Sequence, residues 1–405
     1  MIAMYIPFRG RASIMIGVML ATAAVLAMPR SMCSAFGAGP PRRLASPALR
    51  GPSRRRLFRT HLEAVASPPR ALPSPSPPPP GPADRTPVGG DVVTVEWTVT
   101  PRNGLVVEPL FDASGTVAFV LGGGNYLPAL HELVGDLRPG EAVQGKVIDA
   151  GWGERNPALI ATMPKGGQEG MDYDRIVSGV ELELANGVRC VVTGVTDTEF
   201  TIDANPPLAG ATYSADVKLL SVEEGVTDLL FRGGGGQTGR YEVATFALGC
   251  FWGVELEYMR VPGVVGTRVG FTQGKASASA GPPTYEQVCT GDTGHAEAVM
   301  VTFDPKVVQY RRLVQIAMDR LDENKYLLNQ VGNDRGTQYR HGIYYHTEDQ
   351  RKVGREVLDS FGDNCRTELE RAGVFYDAEA YHQQYLYKGG QSARKGEETQ
   401  IRCYG

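Results

Sequence analysis

The six cysteines include no CxxC pair and keep no regular spacing, and none of the six histidines stands at metal-ligand spacing. This pattern argues against a disulfide scaffold or a zinc finger, so individual thiols become the objects of interest. Lysine and acid are both missing from the first 62 residues, which hold ten of the 41 basic residues, all arginine, and none of the 45 acids. The rest of the chain is therefore acidic, which disfavours nucleic acid as a partner.

The acid-free segment reads as an address. Arg9 and Arg11 precede an apolar run from Ala12 to Met28, and the small residues of SMCSAF follow. The run lies near the length boundary between a signal h-region and a membrane span; a cleaved signal is favoured over an anchor. The stretch GAGPPRRLASPALRGPSRRRLFRT then has the Arg- and Ser-rich composition of a transit peptide. Residues 1–62 thus resemble the bipartite leaders of algae whose plastids lie behind extra membranes. That implies a plastid location with no membrane part in the mature form and Cys33 lost on processing. The secretory pathway and a membrane-anchored form are the alternatives.

Residues 63–89 contain SPPRALPSPSPPPPGP, which forms neither helix nor sheet and reads as an extended linker. At 232–240, RGGGGQTGR contains GxGxxG from Gly234 to Gly239, but it leads into the strand-like YEVATF and opens no helix. The dinucleotide reading fails that test, leaving a flexible glycine linker over 229–240. Two domains are expected, 90–228 and 241–405, in an α+β chain.

The first domain is mostly β. DVVTVEWTVT alternates, Asn103 and Gly104 mark a turn, and VELEL, RCVVTGV, EFTIDA and YSADVKLLSV are short and β-branched. One helical stretch, NYLPALHELVGDLRPG, ends at a Gly/Pro signal. With VTVEWTV, LGGGNYLPALHELVGDLRPGE, DAGWGERNPALIATMPKG and DANPPLAG, this domain resembles the FKBP-type peptidyl-prolyl isomerases of the SlyD kind. The resemblance implies a proline pocket lined by Trp97, Phe119, Tyr126, Leu127, Leu130 and Trp152, and a chaperone subdomain inserted in the flap that grips unfolded clients. Trp97 and Trp152 stand where the family has tyrosines and Ala129 where it has glycine, so isomerase activity and a plain aromatic core both remain open.

The second domain alternates strand and helix, as a layered α/β sandwich does. VATFALG is a strand, CFWGVELEYMRVPG a helix closed by Pro262 and Gly263, and AEAVMVTF a strand. Asp304 and Pro305 are expected to cap the helix KVVQYRRLVQIAMDRL, with apolar residues at 310, 313, 314, 317 and 321. Thr347 and Gln350 suggest a capping box for the next helix. Cys250 begins its helix, where the dipole and unpaired N–H groups favour the thiolate, so it is either a nucleophile or a structural cysteine. Phe251 and Trp252 are surfaces suited to a methyl thioether. Tyr285, His295 and Glu297 share PTYEQVCTGDTGHAEAV. An acid in an apolar strand usually faces solvent; turned inward, Glu297 would stay protonated and act as a general acid. His295-x-Glu297 also opens the zinc deaminase signature, but no PCxxC follows and no metal is expected.

GCFWGVE, PTYEQVCTGDTGHAEAV, GNDRGTQYRHGIYY and AEAYHQQYL, in that order over 241–405, resemble the peptide-methionine (S)-S-oxide reductases, the A-type methionine sulfoxide reductases. The resemblance implies Cys250 as nucleophile, Phe251 and Trp252 around the methyl group, and Glu297, Tyr285 and Tyr339 on the sulfoxide oxygen. Asp334, His382 and Tyr385 match further positions around that pocket. A sulfenic acid on Cys250 needs a second thiol. Cys403, on a Gly- and charge-rich tail expected to be mobile, is that thiol; Glu397 stands where plant-type relatives carry another cysteine. Thioredoxin is the implied reductant, oxidised proteins the implied substrates, and no cofactor is expected. AMDRLDENKYLLNQVGND lacks the family's usual His-Asp-Pro run before Asp334. Cys289 and Cys365 read as structural, and Cys190 as a core residue. A cysteine hydrolase pairing Cys250 with His382, and a binding protein with an incidental thiol, are the rival functions.

Overall fold

The structure is a computed structural model. It describes residues 85–402 except 105–108, 124, 167–171, 185–188, 226–236 and 239, and 276–280, together with two short stretches at 2–6 and 14–18. The expected signal, transit and proline-rich segments therefore lie almost wholly outside the described residues, as does most of the glycine linker. The two leader stretches are strands, Ile2–Ile6 and Ile14–Val18, paired with each other. No helix among the described residues is long and apolar enough to cross a membrane.

The N-terminal unit is built on an antiparallel sheet of β1 (Val92–Pro101), β2 (Ser114–Val120), β3 (Ala142–Asp149) and β8 (Thr212–Glu223), in the order β2-β1-β8-β3. Strand β1 shows why alternation predicts a strand: Val93, Val95, Trp97 and Val99 point into the core while Glu96, Thr98 and Thr100 face out. Helix α1 (Pro128–Gly135) starts with Pro128, whose missing N–H is harmless at a helix start, and buries Leu130 and Val134 against this sheet. Between β3 and β8 the chain builds a second sheet from β4 (Ile160–Pro164), β5 (Glu181–Leu184), β6 (Arg189–Val195) and β7 (Glu199–Asp203), ordered β5-β6-β7-β4. It has its own small core around Leu182, Val192, Phe200 and Ile202.

The C-terminal unit is a mixed sheet with helices against it. Its strands are β9 (Tyr241–Leu248), β10 (Val264–Thr272), β11 (Ala296–Phe303), β12 (His341–Tyr345), β13 (Glu368–Arg371) and β14 (Tyr376–Asp377), in the order β13-β12-β9-β11-β10-β14. Only β12 and β13 run parallel. Helices α2 (Phe251–Met259), α3 (Tyr285–Cys289), α4 (Tyr310–Leu321), α5 (Glu348–Asp359) and α6 (Tyr385–Lys388) complete it. The central strands β9 and β11 are buried almost throughout, so they read as apolar runs with no period.

Two helix starts differ from expectation. Helix α4 begins at Tyr310, not at Lys306, because Asp304 closes a tight turn by accepting from the backbone N–H of Lys306 at 3.0 Å. Thr347 caps Gln350 N, but the Gln350 side chain accepts from His346 N instead of Thr347, so only half of that box forms. The complete capping box is at Thr284 and Gln287, ahead of α3.

The two units are packed against each other. Leu256, Met259, Leu386, Tyr387 and Ala393 of the second join the core cluster of the first, and Val92 and Val120 of the first join a cluster with Val243, Val265 and Met300 of the second. Residues 391–402 run through this junction and are tied down, in contrast to the mobile tail expected. Ala393 N donates to Leu110 O at 2.7 Å, the Arg394 guanidinium to Pro109 O, and Arg402 pairs with Glu181 at 3.2 Å. Lys395 Nζ donates to Met259 O and Val264 O, and Arg260 reaches Ser392 O and Thr399 O.

Candidate active site

Cys250 follows β9 and is the N-cap of α2, at the position the sequence assigned it. Gly249 makes the abrupt strand-to-helix turn with φ of 79°, and a Cβ there would come within 2.7 Å of Val331. Both the backbone conformation and the close approach exclude a side chain. Cys250 is half-buried and is not in a disulfide.

Glu297 is the second residue of β11, next to β9 in the sheet and opposite Phe271 of β10. It is 1% exposed, and its Oε2 accepts from Phe251 N at 3.1 Å, one of the first N–H groups of α2. Burial pushes its carboxyl from the ordinary 4.5 up to about 8; the Phe251 N–H opposes this and the neighbouring Asp334 charge adds to it. The inward reading of this acid therefore holds. Tyr285 opens α3, and Tyr339 lies in the short turn before β12. Burial raises both phenols, Glu297 and Cys250 add to each shift, and a hydrogen bond from Tyr339 opposes it at Tyr285. Both phenols are neutral donors gathered around the carboxyl and the thiol. Asp334, on a two-residue strand, belongs to the same electrostatic neighbourhood.

The aromatic wall comes from two segments. Phe251 is 1% exposed, 6.0 Å from the Phe271 ring and 5.1 Å from that of His382. Trp252 donates from Nε1 to His382 Nδ1 at 3.0 Å, and Tyr385 stacks on its ring at 3.9 Å with 14° between planes. Burial pushes His382 down to about 4, against the pull of Glu379 and Glu286, so the imidazole is neutral. With Nδ1 committed as an acceptor from Trp252, this histidine positions the indole; that arrangement disfavours its use as the base of a cysteine hydrolase.

Three residues of this site escaped the sequence reading. Glu255 is 1% exposed, with a carboxyl pushed by burial to about 8; it accepts from Gln384 N at 2.6 Å and Thr267 Oγ1 at 3.2 Å. It thereby hangs the His382–Tyr385 loop from α2. Glu379 accepts from Tyr285 N at 2.9 Å. The Gln383 amide binds both the N–H and the C=O of Val269 on β10, at 3.0 and 2.8 Å. Glu255 had a weak signal, as one of two acids on α2, the other being Glu257; the other two act only through tertiary contacts.

Other assignments fall elsewhere. Cys403 lies outside the described residues. Cys289, read as structural, is disulfide-bonded. Cys365 is not in a disulfide, and Cys190 is a core residue with its thiol pushed up to about 12 by burial. His295 packs edge-on to Tyr376, with ring centroids 5.7 Å apart. Among the described residues no group of three or more His, Cys, Asp or Glu side chains is arranged to hold a metal. Of the expected proline pocket, Trp97, Phe119, Tyr126, Leu127 and Leu130 are buried together in the first unit's core, with Trp152 half-buried beside them.

A family model described as peptide methionine sulfoxide reductase matches residues 242–402. The chain is similar to peptide methionine sulfoxide reductase A2-1 of rice (Oryza sativa subsp. japonica), 49% identical over 168 residues, 40% of this chain and 87% of that one. It is also similar to peptide methionine sulfoxide reductase A4, chloroplastic, of Arabidopsis thaliana, 47% identical over 173 residues, 40% of this chain and 65% of that one. Among solved structures, reduced Mxr1 of Saccharomyces cerevisiae is 34% identical, with a TM-score of 0.35, over 38% of this chain and 89% of that one.

Proposed function

From the premise that the chain belongs to the peptide methionine sulfoxide reductase family, we propose that it reduces methionine (S)-sulfoxide in proteins with Cys250 as nucleophile and Glu297 as proton donor. The observation that carries this reading is the buried carboxyl of Glu297 held on Phe251 N, one residue from the thiol, where burial favours its protonated form. A sulfoxide has a positive sulfur and a negative oxygen. The Cys250 thiolate attacks the sulfur while Glu297, assisted by the neutral Tyr285 and Tyr339 hydroxyls, delivers a proton to the oxygen. The oxygen passes to Cys250 as a sulfenic acid, and methionine leaves reduced by two electrons. Phe251 and Trp252 enclose the methyl group, with His382 and Tyr385 fixing the indole.

The sulfenic acid then condenses with Cys403, releasing water and leaving a Cys250–Cys403 disulfide for thioredoxin to reduce. Because residues 391–402 are anchored at the junction of the units, this step draws on release of that segment. The N-terminal unit acts on unfolded clients as a chaperone with an attached prolyl-isomerase pocket, bringing them to the reductase. The leader composition and the similarity to a chloroplastic relative favour a plastid. Incubation with each sulfoxide epimer and dithiothreitol tests the reading: methionine released from the S-epimer supports it, and ester or amide hydrolysis without reductant supports the rival.

A further inference from the structure

The aromatic cluster of the N-terminal unit includes one ring from the reductase unit, set against Trp152. Trp97 stacks on Phe119 with centroids 5.6 Å apart, and Tyr126 meets Trp97 edge-on at 4.8 Å. Tyr387 of α6 belongs to the same cluster, is 1% exposed, and stands edge-on to Trp152 at 5.5 Å and 87°. Lys388 places its ammonium 5.1 Å from the Trp152 ring. Yet the contact is imperfect: Tyr387 Oη, Tyr213 Oη and Trp152 Nε1 are all buried without a hydrogen-bond partner among the described residues. Unpaired buried polar atoms weaken a contact, and an occupant that paired them would be preferred. A cavity of about 550 Å³ opens beside this point, lined by Tyr126, Pro128, His131, Trp152, Gln384 and Lys388.

We propose that Tyr387 is the resident ligand of this pocket and that an unfolded client segment, presenting an aromatic ring with a backbone carbonyl beside it, enters through the junction cavity and displaces it. The ring replaces that of Tyr387, and the carbonyl accepts from Trp152 Nε1. Tyr385 lies two residues away on the same one-turn helix and stacks on Trp252. Displacing Tyr387 therefore moves a wall of the reductase site, and client binding and sulfoxide binding become linked. The pocket's occupancy stands on its own geometry; only the linkage rests on the proposed function.

The test uses the full chain and a fluorescein-labelled peptide of residues 383–390, QQYLYKGG, followed by anisotropy. Tyr387→Ala should bind it at least tenfold more tightly than the wild type, whereas Tyr387→Phe, which keeps the ring, should not. Equal affinity in the Ala variant and the wild type, with unchanged circular dichroism, overturns the proposal. Should the Ala variant fail to fold, hydrogen exchange on the wild type decides: saturating peptide should speed exchange at Lys388 and Gly389, whose amides close the α6 turn, and unaltered exchange overturns it. The linkage predicts a change of at least threefold in KM for methionine sulfoxide with peptide bound. An unchanged KM removes the linkage alone, and a wild type without reductase activity refutes the proposed function while leaving the binding result standing.

Discussion

Replacing Glu297 with Gln should slow the reaction and stabilise the protein at the same time. The carboxyl is pushed from 4.5 to about 8 by burial, so the folded state holds a proton that the unfolded chain has given up at neutral pH. For an acid raised in this way, stability is fully present below pH 4.5, falls as pH rises, and levels off above about pH 8. At pH 7 the accumulated loss is about 2.5 pH units, or roughly 3 kcal/mol. Gln cannot ionise and escapes it, less whatever its buried amide loses for want of partners. Glu255 carries a similar shift in both proteins and cancels in the difference. Denaturant unfolding at pH 5 and pH 7.5 should therefore show the variant gaining on the wild type as pH rises. Single-turnover methionine release, which needs no reductant, should fall by roughly 10²- to 10⁴-fold because the transferable proton is gone. In the wild type that release should decline as pH passes about 8, and in the variant that limb should vanish. A variant rate within tenfold of the wild type refutes the proton-donor role, and a stability difference flat across pH refutes the buried neutral acid.

Cys250→Ser should abolish reduction of the S-epimer, with the R-epimer untouched even by the wild type; residual activity within tenfold of wild type would remove Cys250 from its role. Cys403→Ser should release close to one methionine per enzyme and stall as a sulfenic acid trapped by dimedone, with small thiols restoring part of the turnover. Full thioredoxin-driven turnover in that variant would pass the resolving role elsewhere. Because tryptophans occupy the pocket and Tyr387 fills it, the full chain should suppress client aggregation better than it speeds isomerisation of a short proline peptide; isomerisation at the level of ordinary family members would contradict this.

What could be read in the sequence was whatever local physics decides. The alternation of β1 and the Gly-Cys start and Pro-Gly stop of α2 each have a chemical cause within a few residues. Glu297 was ambiguous for the opposite reason: β11 is buried on both faces, which erases the period that would show where an acid points. Asp304 misled because its side chain serves equally well in a turn and at a helix cap. The roles of Glu379 and Gln383 depend on partners far off in the chain. So does the junction: α6 is one turn long, too short for any period to reveal that Tyr385 and Tyr387 serve different units.

The Gln383 amide has a consequence for colloidal behaviour. Strand β10 is covered over only part of its length by the two-residue β14, at Gly270 and Phe271. Just beyond, the C=O of Val269 accepts from Ala378 N at 3.0 Å and from the Gln383 amide, while its N–H is met by Gln383 alone, whose amide also donates to Ala378 O at 2.9 Å. One primary amide thus imitates a peptide group and extends the covering strand by a rung. An open sheet edge invites a foreign strand, and on the proposed function the substrates are damaged chains that would supply such strands. Gln383→Leu should leave the N–H of Val269 bare, so that on the proposed function a client's own backbone becomes a seed for co-aggregation at the flank of the sheet that leads into Cys250.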